Sequence, residues 1–147
     1  MDKPTIYLTN WGSKRHHGPG RKLTIMARPR AWEHGEGSVG VLLPDAGALV
    51  AVKSGRMTAE RYFADFREDL AWATRERGDG GELRGNPLAP GRLTFKAGRF
   101  AMEVVSDGDT LLCACAVGAP CHRREAAPYL VRAGWRVLLD GVEVTGG

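Results

Sequence analysis

Residues 110–139 read TLLCACAVGAPCHRREAAPYLVRAGWRVLL, and this stretch decides the fold class. Thr110 to Ala116 is a continuous apolar run of the kind that parallel sheets bury on both faces. Val117-Gly118-Ala119-Pro120 is a loop. From Cys121 to Ala133 the spacing of Ala126, Ala127, Leu130 and Val131 marks one helical face, and Gly134 closes it. Arg136 to Leu139 reads as a last strand, followed by the turn Asp140-Gly141 and a brief tail. Strand, helix and strand in that order make a βαβ unit.

Outward from this unit the signals continue. Ile6-Tyr7-Leu8-Thr9 reads as a first strand, and the glycines and proline of residues 10–20 as the loop after it. Lys22 to Ala27 is a second strand that Pro29 stops. Residues 31–41 form a loop with an extended piece at Val39–Leu43, and Pro44 to Val52 a short helix. Thr58 caps the clearest helix, in which Tyr62, Phe63, Phe66, Leu70 and Ala73 recur at helical spacing up to about Arg77. Thr94 to Val105 fits a further helix with Ala97, Phe100, Ala101, Val104 and Val105 inward, and Ser106-Asp107-Gly108-Asp109 a turn. The whole chain, residues 1–147, is therefore expected to be one compact three-layer α/β domain with a mostly parallel, Rossmann-like sheet. Asp79 to Gly91, rich in glycine and proline, is expected to be a flexible insertion within it.

With 43% hydrophobic and 26% charged residues the chain is long and apolar enough to bury a core, which argues against gross disorder. No apolar run approaches the roughly 20 residues of a membrane-spanning helix, and MDKPTIYLTN does not resemble a secretory signal. A cytoplasmic location without a membrane partner is expected. The three cysteines all fall within Cys113–Cys121, which argues for a metal, a reactive thiol or plain burial rather than a disulfide framework. The net charge of +4 is uneven: residues 1–30 hold seven Lys and Arg against Asp2 alone, which leaves −2 for the remainder. Such asymmetry points to a polyanionic partner or to a solvated basic loop.

Ligands of open α/β sheets gather beyond the carboxyl ends of strands. Cys113 and Cys115, two apart on one strand, face the same side, and Cys121 and His122 begin the next helix across the loop. A helix N-terminus flanked by Arg123 and Arg124 favours an anion and also a thiolate at Cys121, with His122 as acid or base. Three readings follow. Arg28, Arg123 and the helix N-terminus hold an anionic ligand while Cys121 or His122 does chemistry on it. Alternatively Cys113, Cys115, Cys121 and His122 form a Cys3His site for zinc or iron, although the spacing is not that of paired knuckles. Or the cysteines are small core residues and His122-Arg123 merely caps a helix. In the loop after the first strand, Trp11 interleaves with Lys14, Arg15, His16, His17, Arg21 and Lys22, which suits a nucleic-acid backbone with one stacked base. If the first strand and the cysteine-bearing strand are parallel neighbours, loop and cysteines share one cationic edge.

The run LLCACAVGAPCHRREAAPYLVRAG resembles the signature of the family catalogued as domain of unknown function 488, in which a strand ending in LLC leads to CHR and a helix. IYLTN with the loop holding Ser13-Lys14, LTIMARPR, and LLPDAGALVAVKSGRMTAERYFADFREDL are similar to its other segments. The resemblance implies a compact α/β fold and a site formed by Cys113, Cys121, His122 and Arg123 with Asn10, Ser13 and Arg28. It implies no settled activity. This chain departs from the family where Ala114 and Cys115 follow the first cysteine, a place where members often carry an aromatic and an acidic residue. The expectation is an enzyme or binding domain for a phosphate-bearing or nucleic-acid-like anion, with Asn10, Ser13 and Lys14 among the binding residues. The competing expectation is a non-enzymatic module that binds nucleic acid or protein.

Overall fold

The computed structural model describes residues 3–26, 29–74, 85–99, 101–114 and 121–145. Its centre is a five-stranded sheet of β1 (Thr5–Asn10), β2 (Lys22–Thr24), β5 (Thr110–Cys113), β6 (Arg136–Leu139) and β7 (Val142–Val144). The order is β2-β5-β1-β6-β7; the first four run parallel, and β7 pairs antiparallel with β6. With helices flanking it, this is a mostly parallel, Rossmann-like α/β arrangement. The helices are α1 (Ala46–Lys53), α2 (Ala59–Thr74) and α3 (His122–Ala133). Asp45 caps α1 by accepting from the amides of Gly47 and Ala48, and Thr58 Oγ1 accepts from the Arg61 amide at the start of α2. Gly134, at φ 116°, ends α3 in the left-handed conformation that a side chain disfavours.

All four parallel strands finish at one edge. Ile6 and Leu8, Leu23 and Ile25, Leu111 and Cys113, and Val137 supply the sheet's share of one continuous core. Phe66 and Leu70 of α2 and Ala126, Ala127 and Leu130 of α3 supply the helical share. The alternation in β5 places Cys113 with Leu111, so its side chain enters the core.

Four sequence readings are corrected. The helix expected over Thr94–Val105 is a hairpin of β3 (Thr94–Lys96) and β4 (Met102–Val104), paired Thr94 to Val104 and Lys96 to Met102. Phe95 is buried while Lys96 is exposed, a period of two. Gly98 at φ 131° cannot belong to a right-handed helix. Val39–Leu43 is a 3-10 turn at Gly40–Leu42 rather than an extended piece. The tail is strand β7, joined to β6 by Asp140 at φ 49° and Gly141 at φ 84°, the two positive angles of a type I′ turn that Asp-Gly favours. Part of the expected insertion, residues 79–84, lies outside the described residues. In the rest Leu88 is fully buried, and the Trp135 indole Nε1 donates to its carbonyl at 2.6 Å.

Candidate functional site: a buried thiol centre at the carboxyl edge of the sheet

Strand β5 ends in Cys113, and α3 starts directly after Cys121, which occupies its N-cap position with extended backbone (φ −157°, ψ 150°). The sheet edge and the helix start bring Cys113 Sγ and Cys121 Sγ to 3.1 Å. Both are buried, 1% and 2% exposed. His122, the first residue of α3, places Nδ1 3.6 Å from Cys121 Sγ, and its Nε2 lies 2.6 Å from the carbonyl oxygen of Ile25, just past β2. The Phe66 ring packs against the imidazole edge-on, with centroids 5.6 Å apart and an interplanar angle of 81°. A backbone carbonyl, an aromatic ring and a helix start thus fix the imidazole.

Arg123 is fully buried, an expensive place for a charge unless it is paired. Its Nη1 donates to Cys113 Sγ at 2.7 Å and its Nη2 to Asp140 Oδ2 at 3.1 Å. Asp140 is held in turn by the Thr9 hydroxyl at 2.9 Å. Burial works against the guanidinium's charge, but Cys113, the Asp140 carboxylate and Cys121 outweigh it and hold its pKa above the ordinary arginine value. The coupling is reciprocal: the same guanidinium favours the thiolate form of Cys113.

The structure brings Cys113, Cys121, His122 and Arg123 together, as their clustering in the chain implied. Arg123 faces inward, bonded to a sulfur and a carboxylate. Asn10 is the register partner of Cys113, and the Trp11 amide donates to the Cys113 carbonyl at 3.2 Å, so β1 and β5 are the parallel neighbours the sequence left conditional. Asn10 Oδ1 accepts from the Ser13 amide at 2.8 Å and shapes a 3-10 turn at Lys14–His16, on which Lys14 and Arg15 are exposed. Arg28 and Cys115 lie outside the described residues. Sequence reading missed Asp140, Thr9, Phe66 and the Ile25 carbonyl. The Asp-Gly pair signalled only a turn, and a carbonyl has no sequence signal at all.

Arg21, counted among the loop's cations, is engaged elsewhere. It pairs with Asp109 at 2.9 Å and Glu103 at 3.6 Å and lies over the Phe95 ring, 4.5 Å from its centroid. Its hydrogen bond to Asp109 raises its pKa. A cleft of about 490 Å³ between α1 and α2 is lined by Asp45, Asp65, Glu68 and Asp69 besides Tyr62 and Phe66. Its four carboxylates repel an anion, and the Phe66 ring that lines it also packs against His122. Among the described residues no group of three or more His, Cys, Asp or Glu could hold a metal. The two sulfurs, at 3.1 Å, are also closer than the roughly 3.8 Å that tetrahedral ligands on metal–sulfur bonds of about 2.3 Å would take. Cys115, the third sulfur of the expected Cys3His set, lies outside the described residues.

No family model, curated protein or solved structure matches the chain. No helix among the described residues is long and apolar enough to cross a membrane.

Proposed function

We propose that the chain is a small enzyme working through the thiol of Cys121, with His122 as its base, on a phosphate-bearing or nucleic-acid-like anion. One observation carries this reading: His122 Nε2 sits 2.6 Å from the Ile25 carbonyl while Nδ1 faces Cys121 Sγ at 3.6 Å. A carbonyl only accepts, so Nε2 carries the proton and Nδ1 of the neutral ring is the acceptor. The Cys121 thiol therefore points at a base whose tautomer the main chain selects, the arrangement by which thiols are activated. As Sγ bonds to an electrophilic centre, its proton passes to Nδ1, and His122 can return that proton to the leaving group. Lys14 and Arg15, exposed at the same sheet edge, supply attraction for an anion. The LLC…CHR resemblance is compatible with this assignment, and cysteines clustered within nine residues fit a reducing, cytoplasmic setting.

Alkylation of Cys121 by iodoacetamide, followed by peptide mapping in wild type and His122→Asn, tests the assignment. Loss of the base should slow alkylation at neutral pH by at least about tenfold, a modest share of what general-base assistance supplies. Equal rates in the two proteins would remove the role given to His122.

A second reading, a non-enzymatic nucleic-acid binder, is favoured by one feature. Trp32 is 63% exposed and meets the Trp11 ring edge-on, with centroids 6.1 Å apart, on the segments that precede and follow the basic turn. A stacked base would find an aromatic surface there. Binding to single-stranded oligonucleotides that weakens steeply with salt supports this reading, and no binding at low salt ends it.

A further inference from the structure

We propose that Cys113 and Cys121 are a redox-active pair that closes reversibly to an intramolecular disulfide. This goes beyond the nucleophile reading, because it rests on the separation of the two sulfurs and on Arg123 rather than on the base. At 3.1 Å the sulfurs are already inside ordinary van der Waals contact. The sulfurs have about 1 Å left to close before the disulfide bond length of about 2.05 Å is reached. Each sulfur also has a distinct chemical neighbour. Cys121 faces the unprotonated nitrogen of His122 at 3.6 Å, and Cys113 receives the Arg123 Nη1 at 2.7 Å. A thiol beside a base, with a second cysteine poised to resolve it, is an arrangement that reversible thiol oxidation uses.

With hydrogen peroxide as oxidant, the Cys121 thiol passes its proton to His122 Nδ1 and its sulfur attacks one peroxide oxygen; the O–O bond breaks, the leaving hydroxide takes that proton back from His122, and a sulfenic acid and water result. Cys113 Sγ then attacks the Cys121 sulfur, the S–O bond breaks, and a second water leaves. Two thiols and one peroxide become one disulfide and two waters; each sulfur loses one electron and one proton. A dithiol reductant reverses the step by exchange. Closing the bond takes the Cys113 sulfur out of its hydrogen bond with Arg123, while the Asp140 carboxylate, at 3.1 Å, remains with the guanidinium. Because the guanidinium stabilises the reduced form, it makes the disulfide easier to reduce. Arg123 is thus a positioning residue for the couple.

The test uses full-length protein carrying Cys115→Ser, which leaves only these two thiols. One equivalent of hydrogen peroxide should lower the mass by two hydrogens, abolish both free thiols, link the peptides holding Cys113 and Cys121, and be undone by dithiothreitol. Two persistent free thiols, a sulfenic or sulfinic acid without the link, or a disulfide between two copies would overturn the proposal. At a fixed glutathione ratio the oxidised fraction should be larger in an added Arg123→Met variant and intermediate in Arg123→Lys. An unchanged fraction would refute the role of Arg123, and if Arg123→Met does not fold, the Lys variant and the peroxide result still decide. His122→Asn alkylation fails or succeeds independently, so the two proposals are separable.

Discussion

At the scale of single residues, the most costly placement in this molecule is the guanidinium of Arg123, fully buried beneath the carboxyl edge of the sheet. It is tolerated because Cys113 and Asp140 satisfy it at 2.7 and 3.1 Å. Removing one partner of such a buried pair leaves an uncompensated charge, at a cost of about 3–5 kcal/mol. Asp140→Ala should therefore lower unfolding free energy in urea by about that amount, the more so because Asp140 also holds φ 49° in the β6–β7 turn. Asp140→Asn tolerates the same backbone and keeps an acceptor, so it should cost less; a loss equal to that of Asp140→Ala would show that the carboxylate charge, and neither the acceptor nor the turn, is what Asp140 contributes. The raised pKa of Arg123 means that its stabilisation is complete below the ordinary arginine value and is lost only as pH rises through the higher folded value. Changes of stability near neutrality must then come from other groups. Cys113, Cys121, His122 and Arg123 were legible because they sit within eleven residues and the βα junction gathers them. Asp140 was not, because its link to Arg123 is made by the sheet and by no local pattern.

Among the elements, β1, β2, α1, α2, β5, α3 and β6 were all readable from periodicity, caps and breakers, since in each of them local preference agrees with burial. Residues 94–105 were not. Ala97, Phe100, Ala101, Val104 and Val105 satisfy a helical spacing, yet Ala101 and Val104 are exposed while Val105 is buried, as is Phe95. What decided against the helix is Gly98, whose φ of 131° turns the chain. This makes Gly98→Ala discriminating. In a helix it would gain about 1 kcal/mol, whereas at this angle it should lose about that or more, read as a fall in Tm. Leu88 is a second case, since its fully buried side chain anchors a segment whose composition reads as mere loop. Leu88→Ala should cost about 2–5 kcal/mol, and a loss below about 0.5 kcal/mol would return that segment to the surface.

For the molecule as a whole, the basic segment of residues 1–30 is less of a uniform surface than its charge implies. Arg21 is held by Asp109, Glu103 and Phe95, which leaves Lys14 and Arg15 as exposed cations at the sheet edge that bears the thiols. If that edge receives a polyanion, Lys14→Glu with Arg15→Glu should weaken oligonucleotide binding several-fold and flatten its salt dependence, by about one logarithmic unit of slope for each phosphate that is no longer neutralised. Unaltered binding would place any nucleic-acid surface elsewhere. Sheet order, parallel pairing and a βα junction at the carboxyl edge bring base, cation and two sulfurs to one place, and the measurement that bears most directly on this centre is its protonation. In Cys115→Ser protein the ultraviolet absorbance of thiolate, followed against pH, should rise with one of the two thiols titrating below the ordinary value of about 8.5. Two thiols that both ionise at or above that value would contradict the assignment of a cation-held, base-assisted cysteine pair.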